Sequence, residues 1–398
     1  MERANERVAK GLAGVVVDDT AISEIDGQAG ALRYRGYAIE QLSTLPFETV
    51  VMMLLSGDLP KPADAAAFAR RLREHTRLPP AIAEAVLAIA AVAKHPMLAL
   101  QASAPLLVGG TRVGLAVPGV ASSTRLADDT STSDDGFVLA ARLPAALALI
   151  LRGRAAWPDV TDALHLQTTT AEPYGSLILR LLTGQTPSPE AAHAFEQTQI
   201  LQMEHGFNAG TFTARVVAST LAPVQSAVSA AIGALYGPLH GGADQAAIEM
   251  ARAIGDAASV PAALQAMTAR GEKVMGMGHR EYRVIDPRSR VIEAIAERIA
   301  RPGAGAEELA ILKAIARGTA GATALETAGQ PARTLHPNLE FYKGVVFLAL
   351  GLAPASFTCC FAIARVWGYV AHFVECQIHN RILRPAAAYV GPAARAVE

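Results

Sequence analysis

Residues 224–254 read VQSAVSAAIGALYGPLHGGADQAAIEMARAI and carry the pattern that decides the fold. Apolar residues recur every three or four positions before the break at GPLHGG, and alanine is abundant after it. This pattern predicts two helices joined by a short turn. The same helical period recurs in segments near residues 38–56, 63–74, 80–93, 137–152, 188–206 and 210–221. The predicted fold class is therefore all-α.

Three stretches depart from the helical period. Residues 14–39, GVVVDDTAISEIDGQAGALRYRGYAI, are rich in β-forming types, and the Asp-Gly pair within them is typical of a turn, so we expect a small β-hairpin region. Residues 109–136 are rich in Gly, Ser, Thr and Asp and are predicted to form a long surface loop. The sequence RPGAG at 301–305 predicts a further break between helices.

The composition limits the class of protein. A chain of 398 residues with 51% hydrophobic and 18% charged residues can bury a large core, which excludes disorder and favours two domains. Because 35 Lys and Arg nearly balance 36 Asp and Glu, no nucleic-acid partner is expected. The three cysteines include no CxxC pair and the first residues lack an apolar signal segment, so we expect a cytoplasmic protein.

One uncharged stretch is long enough to cross a membrane. Residues 344–364 read GVVFLALGLAPASFTCCFAIA, without a charged side chain. Pro354 and Ser356 interrupt the stretch, and Arg365, His372 and Glu375 follow it closely. We therefore predict two buried helices joined by a turn, and no membrane association.

Four residues that can move protons stand in distinctive contexts. His205 lies in EHGFN, His240 in GPLHGGADQ and His279 in MGMGHREYR, and Glu340 follows in HPNLEFYKG. The spacings are too wide for one helix face, so a shared site requires the fold to bring these residues together. Imidazole and carboxylate groups transfer protons to and from carbon and carbonyl oxygen. The pattern therefore favours an enzyme.

Local sequence adds a chemical meaning to two of the histidines. His240 precedes an alanine-rich helical run, where free N–H groups favour a neutral imidazole that can donate a hydrogen bond to an enolate oxygen. Gly276 and Gly278 form a tight loop before His279. Four arginines that can bind carboxylate or phosphate follow this loop: Arg280, Arg283, Arg288 and Arg290. This segment is predicted to bind an anion beside a proton donor.

Each of these residues also has an ordinary structural alternative. His240 could cap a helix, His279 could begin a solvated charged helix, and His205 could supply a positive charge at a helix C-terminus. Glu340 lies between apolar neighbours, which suits a partly buried base, although most glutamates are surface residues. The chain lacks HxxxH and HExxH, so no metal site is predicted. It also lacks GxxxxGK[ST] and a GxGxxG after a strand, which disfavours a nucleotide-binding fold.

The segments GPLHGGADQ, GMGHREYRVIDPR and HPNLEFYKGVVFLALGL resemble motifs of the citrate synthase family, in the family's order and spacing. The resemblance extends from GLAGVVVDD at residue 11 to NRILRPAAAYVGP near the C-terminus. It implies a mainly helical homodimer with an active-site cleft between two domains. The large domain would comprise residues 1–238 and 352–398, and the small domain residues 239–351.

The resemblance also implies a reaction and the residues that perform it. Acetyl-CoA, or a related acyl-CoA, would condense with a 2-oxo dicarboxylate such as oxaloacetate, without a permanently bound cofactor. His240 would donate to the thioester oxygen, Glu340 would remove the methyl proton, and His279 would protonate the oxo-acid carbonyl. The residues expected to hold the oxo-acid carboxylates are His205, Arg288, Arg365 and, from the second subunit, Arg384. Those expected to contact coenzyme A are Gly276, Gly278, Arg283 and Asn338.

The chain departs from the family pattern at several positions. Glu340 replaces the family's catalytic aspartate, and Glu204 replaces an aspartate before His205. A catalytic group displaced by about 1 Å can lose roughly 10²-fold in rate, so the extra methylene matters. The segments at 94–110 and 171–184 also diverge, which favours a divergent paralogue. Two alternatives therefore stay open: a 2-methylcitrate synthase that uses propanoyl-CoA, and a non-catalytic paralogue that binds CoA or oxo acid.

Overall fold

The computed structural model describes residues 9–12, 14–109, 130–162, 172–319 and 335–397, and helices dominate these ranges. The α-helices are Ile39–Leu42 (α1), Phe47–Ser56 (α2), Pro62–Thr76 (α3), Pro80–Val92 (α4), Pro96–Ser103 (α5), Thr130–Arg152 (α6), Trp157–Thr161 (α7), Tyr174–Thr183 (α8), Pro189–Gln202 (α9), Ala209–Ala218 (α10), Val224–Tyr236 (α11), Ala243–Ile254 (α12), Val260–Ala269 (α13), Pro287–Ile299 (α14), Ala306–Thr319 (α15), Leu339–Ala349 (α16) and Phe357–Ile378 (α17). Short 3₁₀ turns occur at Lys10–Leu12, Ala104–Leu106, Gly153–Ala156, Ala257–Ser259 and Pro354–Ser356. The predicted all-α class is confirmed.

The predicted β-hairpin region is a small antiparallel sheet. Its strands Ser23–Asp26 (β1), Ala31–Tyr34 (β2) and Tyr37–Ala38 (β3) pair in chain order, so a third short strand extends the hairpin. Asp26 closes the first turn because its Oδ1 accepts from the N–H groups of Gln28 and Ala29, at 2.9 and 2.8 Å. The hairpin therefore follows from local turn chemistry that the sequence already indicated.

The predicted helices are present, with shifted boundaries. The segment near 38–56 is two helices, because Pro46 immediately precedes α2 and a proline ring is tolerated at a helix start but not in its interior. The segment near 188–206 ends at Gln202. His205 therefore lies in the connection after α9 and not in its last turn, which corrects the predicted position at a helix end.

The predicted loop at 109–136 is wrong in its last part, because α6 begins at Thr130. A long-range ion pair lies at this end of the helix: Arg71 of α3 contacts the buried carboxylate of Asp134 at 3.3 Å. A tertiary contact of this kind overrides the weak helical preference of Ser, Thr and Asp. Residues 110–129 lie outside the described residues.

The centre of the core lies where α6 and α17 pack together. Trp367 of α17 is 1% exposed, and its ring lies 5.9 Å from the ring of Phe137 on α6. An aromatic side chain of this size removes at least ~150 Å² from water, which contributes roughly 4 kcal/mol. Helix α17 is therefore anchored firmly enough to hold polar groups in fixed positions along its length.

Two helical stretches, Asp134–Thr161 and Pro354–Ile378, are apolar and long enough to cross a membrane. In their most apolar windows, 78% and 94% of the residues are buried inside the protein. Burial in the core accounts for their composition, so they are weak grounds for a membrane span. The pair of buried helices predicted around residues 344–364 is confirmed: these helices are α16 and α17, and a turn and a 3₁₀ segment separate them.

The predicted break at 301–305 is a turn between α14 and α15. Arg301 and Ala304 exchange backbone hydrogen bonds there, with N–O distances of 3.3 and 2.8 Å. The division into a large domain (1–238 and 352–398) and a small domain (239–351) stays a prediction.

Candidate active site

Two of the three histidines lie in one cluster. His205 is buried, and its Nε2 lies 3.1 Å from the hydroxyl of Tyr282. The ring centroid of His279 lies 5.1 Å from that of His205 and 4.7 Å from that of Tyr282. The structure thus brings together two residues that are far apart in the chain.

The hydrogen bonds of His279 determine where its proton lies. Its Nδ1 accepts from the backbone N–H groups of Glu281 and Tyr282, at 3.0 and 3.4 Å. Because a backbone N–H can only donate, the neutral ring carries its proton on Nε2. Burial, followed by the charge of Arg288, lowers the pKa of His279 to about 4. The ring is therefore a neutral N–H donor at pH 7.

Arg288 is held in a fixed orientation by its neighbour in the sequence. Asp286 caps the N-terminus of α14, and its carboxylate accepts from Arg288 Nε at 3.0 Å and from Nη2 at 2.8 Å. Burial disfavours the charged guanidinium, but Asp286 outweighs it and raises the pKa of Arg288. The same carboxylate accepts from Leu339 N–H at 3.3 Å, which ties Arg288 to the start of α16. Nη1 makes no hydrogen bond within the described ranges.

Arg365 is a buried guanidinium that makes no ion pair with a carboxylate of the described residues. It lies on α17 with 2% exposure, and its Nε donates to the carbonyl oxygen of Gln202 at 2.6 Å. No hydrogen bond joins its Nη atoms to any residue that the structure describes. Arg215, which is equally buried, instead pairs with two carboxylates. Burial lowers the pKa of Arg365 although Tyr369 and Glu204 act in the opposite direction, so the guanidinium is suited to bind an anion.

His240 lies between α11 and α12, and its local prediction needs one correction. Its Nε2 lies 3.3 Å from the N–H of Gly210 and 3.2 Å from Oδ1 of Asn208, which caps α10. The N–H of Gly210 is shared between Asn208 Oδ1, at 3.1 Å, and His240 Nε2, and we assign Nε2 as its second acceptor, which places the proton of the neutral ring on Nδ1. The helix N-terminus that donates to this ring is therefore that of α10, whereas the sequence pointed to the helix that follows His240.

Charge and burial both act on His240. Burial, followed by the charge of Arg365, lowers the pKa of His240 to about 4, while Glu340 acts in the opposite direction. The ring is therefore neutral at pH 7. Because the charges of Arg365 and Glu340 both act on the pKa of His240, the three side chains lie close enough to interact electrostatically.

Glu340 lies in the first turn of α16 and is partly buried, as predicted. One carboxylate oxygen, Oε1, accepts from Lys343 Nζ at 3.0 Å. The other, Oε2, is buried and has no hydrogen-bond partner among the described residues. A partly buried carboxylate with one oxygen unpaired among the described residues is chemically suited to act as a general base.

The glycine loop before His279 is bound to the start of α16. Gly276 has φ of +77°, and a Cβ atom there would lie 2.9 Å from Cα of Phe341, so only glycine fits. Asn338 N–H donates to Gly276 O at 3.0 Å, and its side-chain amide donates to Gly278 O at 2.8 Å. Asn338 Oδ1 accepts from Glu340 N–H at 2.9 Å. Asn338 therefore ties the loop that carries His279 to the helix that carries Glu340, and its contact with coenzyme A stays a prediction.

Two of the predicted arginines lie away from this cluster. Arg283 is exposed, and its Nη1 donates to the carbonyl oxygen of Arg280 at 3.2 Å. Arg384 lies in the exposed segment 379–397 after α17. It makes no hydrogen bond or ion pair with the described part of its own chain. Of the four arginines that follow His279, Arg288 is the one that reaches the histidine cluster.

Glu204, a position that departs from the family pattern, has a structural setting of its own. Its Oε1 accepts from Ser23 Oγ and from His372 Nε2, both at 3.0 Å. Burial raises the pKa of Glu204, but His372, Arg365 and Ser23 outweigh burial and bring the pKa below its usual value. This anchored carboxylate fixes the backbone immediately before His205.

Sequence reasoning missed four side chains that shape the site: Tyr282, Asp286, Asp244 and Lys343. Tyr282 and Asp286 lie within the segment that also contains His279 and Arg288, so their position in the sequence could have identified them as site residues. Lys343 follows Glu340 by one helical turn, but its burial could not be read from the sequence. It is completely buried and lies between Glu340 and Asp244.

Known proteins share both the sequence and the fold. The family model "Citrate synthase, C-terminal domain" matches residues 11–386. A 2-methylcitrate synthase of Mycobacterium tuberculosis is 36% identical over 385 residues, which cover 96% of this chain and 91% of that protein. A citrate synthase of Mycolicibacterium smegmatis is 34% identical over 398 residues, which cover 98% of this chain and 97% of the relative.

Solved structures agree with the sequence relatives. The citrate synthase of Pyrobaculum aerophilum aligns with a TM-score of 0.80 and 31% identity over 98% of this chain and 93% of that one. The Thermoplasma acidophilum citrate synthase, solved as a ternary complex with carboxymethyl coenzyme A and oxaloacetate, has the same TM-score with 26% identity and covers 98% of each chain. The matches in sequence and fold extend over nearly the whole chain, including every residue of the cluster. The chain therefore belongs to the citrate synthase family and is a condensing enzyme of the transferase class.

Proposed function

We propose that the enzyme condenses acetyl-CoA with oxaloacetate and water to give citrate and free coenzyme A. The observation that carries this proposal is the placement of two neutral imidazoles near two buried guanidinium groups, His240 near Arg365 and His279 near Arg288, together with the Glu340 carboxylate, one oxygen of which has no hydrogen-bond partner among the described residues. A base, two hydrogen-bond donors and an anion site are the groups that enolisation and condensation with an oxo acid require.

The first step is removal of a methyl proton from the thioester. Glu340 Oε2 is the base, because it has no hydrogen-bond partner among the described residues and the charge of this carboxylate acts on His240. As the C–H bond breaks, negative charge moves to the thioester oxygen, and His240 donates its Nδ1–H to that oxygen. A pKa of about 4 keeps His240 neutral. A neutral imidazole can stabilise an enolate by donating a hydrogen bond to its oxygen.

The second step forms the carbon–carbon bond. The enolate carbon attacks the carbonyl carbon of oxaloacetate, and His279 Nε2–H transfers its proton to the carbonyl oxygen. His205, Arg288 and Arg365 hold the carboxylates, which orients the carbonyl towards the enolate. Water then cleaves the citryl thioester, so the acyl carbon becomes a carboxylate and coenzyme A leaves as the thiol. The proton that thioester hydrolysis releases restores the His279 ring, and Glu340 returns the methyl proton to solvent. Closure of the cleft between the proposed domains excludes water during the first two steps.

We also assign the binding of coenzyme A and the assembly. The thioester is a co-substrate that binds against the loop of Gly276 and Gly278, with contacts from Arg283 and Asn338. The enzyme works as a homodimer in which Arg384 completes the oxo-acid site of the second subunit. In support, the segment 379–397 forms neither helix nor strand and leaves apolar side chains in solvent, with Tyr389 79% and Val390 94% exposed.

A cytoplasmic location is the remaining part of the proposal. Cys359, Cys360 and Cys376 are buried free thiols. A reducing compartment keeps such thiols free. Cell fractionation with an antibody against the enzyme tests this location directly.

Propanoyl-CoA is the second candidate acyl donor, because one relative at 36% identity is a 2-methylcitrate synthase. One methylene changes specificity by only about 1–3 kcal/mol, so the family alone does not separate the two donors. The experiment is a thiol-release assay with acetyl-CoA and propanoyl-CoA against several 2-oxo acids, with Glu340→Gln as the inactive control. We expect the highest kcat/KM with acetyl-CoA and oxaloacetate. A higher value with propanoyl-CoA would make the enzyme a 2-methylcitrate synthase, and no thiol release with any pair would favour the non-catalytic paralogue.

A further inference from the structure

Lys343 is a fully buried ammonium group in direct contact with Glu340. Its Nζ lies 3.0 Å from Glu340 Oε1 and 3.3 Å from Asp244 Oδ2, and its side chain is 0% exposed. The contact with Glu340 is a hydrogen bond, whereas the one with Asp244 is an ion pair without a well-directed hydrogen bond. The third neighbour is the ring of Phe361, whose centroid lies 3.9 Å from Nζ. The ammonium group is thus confined on three sides.

The ammonium group of Lys343 is therefore the counterion of two carboxylates, the buried Asp244 and the partly buried Glu340. Asp244 is rooted in the first turn of α12, where its Oδ1 accepts from the N–H of Gln245 at 2.8 Å. Burial raises the pKa of Asp244 to about 6; Lys343 opposes this shift and Glu340 adds to it. Because Lys343 contacts both carboxylates, a change in Lys343 reaches Glu340 directly.

The contact also explains how a glutamate can work at this position. Residues three apart in a helix are neighbours, so Lys343 lies one turn from Glu340 on the same face. Glutamate has three side-chain torsions, and an unanchored carboxylate would sample several positions. By binding Oε1, Lys343 selects the conformation in which Oε2 has no hydrogen-bond partner in the described part of the chain. This contact thereby fixes the position of the Glu340 carboxylate despite its longer side chain.

We propose that Lys343 is a positioning residue for the reaction, which holds Oε1 of Glu340 so that Oε2 is free to accept the methyl proton, and that Asp244 holds Lys343 in place. This inference rests on the proposed function, in which Glu340 is the base. Lys343 itself touches neither substrate.

The test removes the anchor without leaving Asp244 as a fully buried, unpaired carboxylate. The double variant Lys343→Met/Asp244→Asn replaces both charges, because removing one partner alone would strand the other. We expect kcat with acetyl-CoA and oxaloacetate to fall at least about 10-fold, since a displacement of about 1 Å can cost roughly 10²-fold. The KM for oxaloacetate should stay within about 2-fold of wild type, because the arginines are untouched.

A deuterium isotope effect separates positioning from general damage. With acetyl-CoA deuterated at the methyl group, the isotope effect on kcat should be at least as large as in wild type, because proton removal is the step that slows. A lower kcat with an isotope effect reduced to unity would show that another step was damaged and would overturn the proposal. An unchanged kcat in the folded double variant would overturn it as well.

Two further variants complete the design. Lys313→Met is the matched control: Lys313 also pairs with two carboxylates, Glu293 and Glu297, but lies on α15 at the surface, so its kinetics should equal those of wild type. If the double variant does not fold, Lys343→Arg replaces it, since a longer, planar guanidinium keeps the charge but displaces the Glu340 carboxylate. It should lower kcat and retain the isotope effect, and a wild-type kcat would refute positioning.

A failure of the proposed function looks different from a failure of this inference. If the wild-type protein releases no thiol and exchanges no methyl hydrogen with solvent, the proposed function is wrong. If the wild-type protein is active and the double variant keeps the wild-type kcat, only the proposed role of Lys343 is wrong.

Discussion

Replacing Arg365 by leucine should abolish efficient use of the oxo acid while leaving the fold intact. Among the described residues this guanidinium makes one hydrogen bond, from Nε to the carbonyl oxygen of Gln202. Its remaining donors make no hydrogen bond to the described residues and are available for a carboxylate. Truncating one partner of a buried charged pair costs roughly 2–5 kcal/mol. At about 1.4 kcal/mol per factor of ten, the KM for oxaloacetate should rise roughly 30-fold to 5,000-fold.

The stability of the variant without ligand should change little, because two effects oppose each other. Leucine leaves the carbonyl oxygen of Gln202 without its donor, which costs about 1–3 kcal/mol. It also removes a buried cation that burial itself disfavours, as the lowered pKa of Arg365 shows. Loss of function without loss of stability is the signature of a ligand-binding charge.

Arg142→Leu is the matched control. Arg142 is also buried, and it donates to the backbone carbonyl oxygens of Leu107 and Gly109. This variant should lower the melting temperature but leave the KM for oxaloacetate unchanged. The assay is initial-rate thiol release at saturating acetyl-CoA, together with the increase in melting temperature that oxaloacetate produces in wild type. A KM for Arg365→Leu within about 3-fold of wild type would refute the carboxylate assignment.

Four further outcomes follow from the site. His240→Ala and His279→Ala should each lower kcat by at least about 10² without loss of helical circular dichroism, and full turnover by either variant would remove its assigned role. Glu340→Asp should slow the reaction up to about 10² because the shorter carboxylate withdraws from its anchor; a faster variant would show that the backbone suits an aspartate. Subunits of inactive Arg384→Ala and inactive His240→Ala, mixed and exchanged, should recover part of the activity, and confirmed mixed dimers without activity would contradict a shared site. Folding holds the pKa of His279 near 4 instead of 6.5, so the folded state binds fewer protons than the unfolded state between these pH values, and its stability should fall as pH drops from 6.5 to 4. In this pH range the urea midpoint of His279→Asn should fall less steeply than that of wild type. Equal slopes for the two proteins would contradict the lowered pKa.

The sequence by itself determined the helices, the small sheet and the family. Helical periodicity is a local property, so α11, the break at GPLHGG and α12 could be read directly from residues 224–254. The same holds for the turn at Asp26, whose carboxylate bonds to the backbone two and three residues later. His240, His279 and Glu340 were identified from the motifs around them.

Only the tertiary structure decided what those residues touch. The N–H that fixes His240 comes from α10, and the ammonium that anchors Glu340 is itself held by Asp244 on α12. Helix α6 extends into the predicted loop, where Asp134 meets Arg71 of α3. Burial and charge pairing depend on residues that are distant in the chain, and no local pattern records which of them become neighbours. The periodicity of a chain therefore predicts its helices, while the protonation and orientation of its catalytic groups follow from how those helices pack.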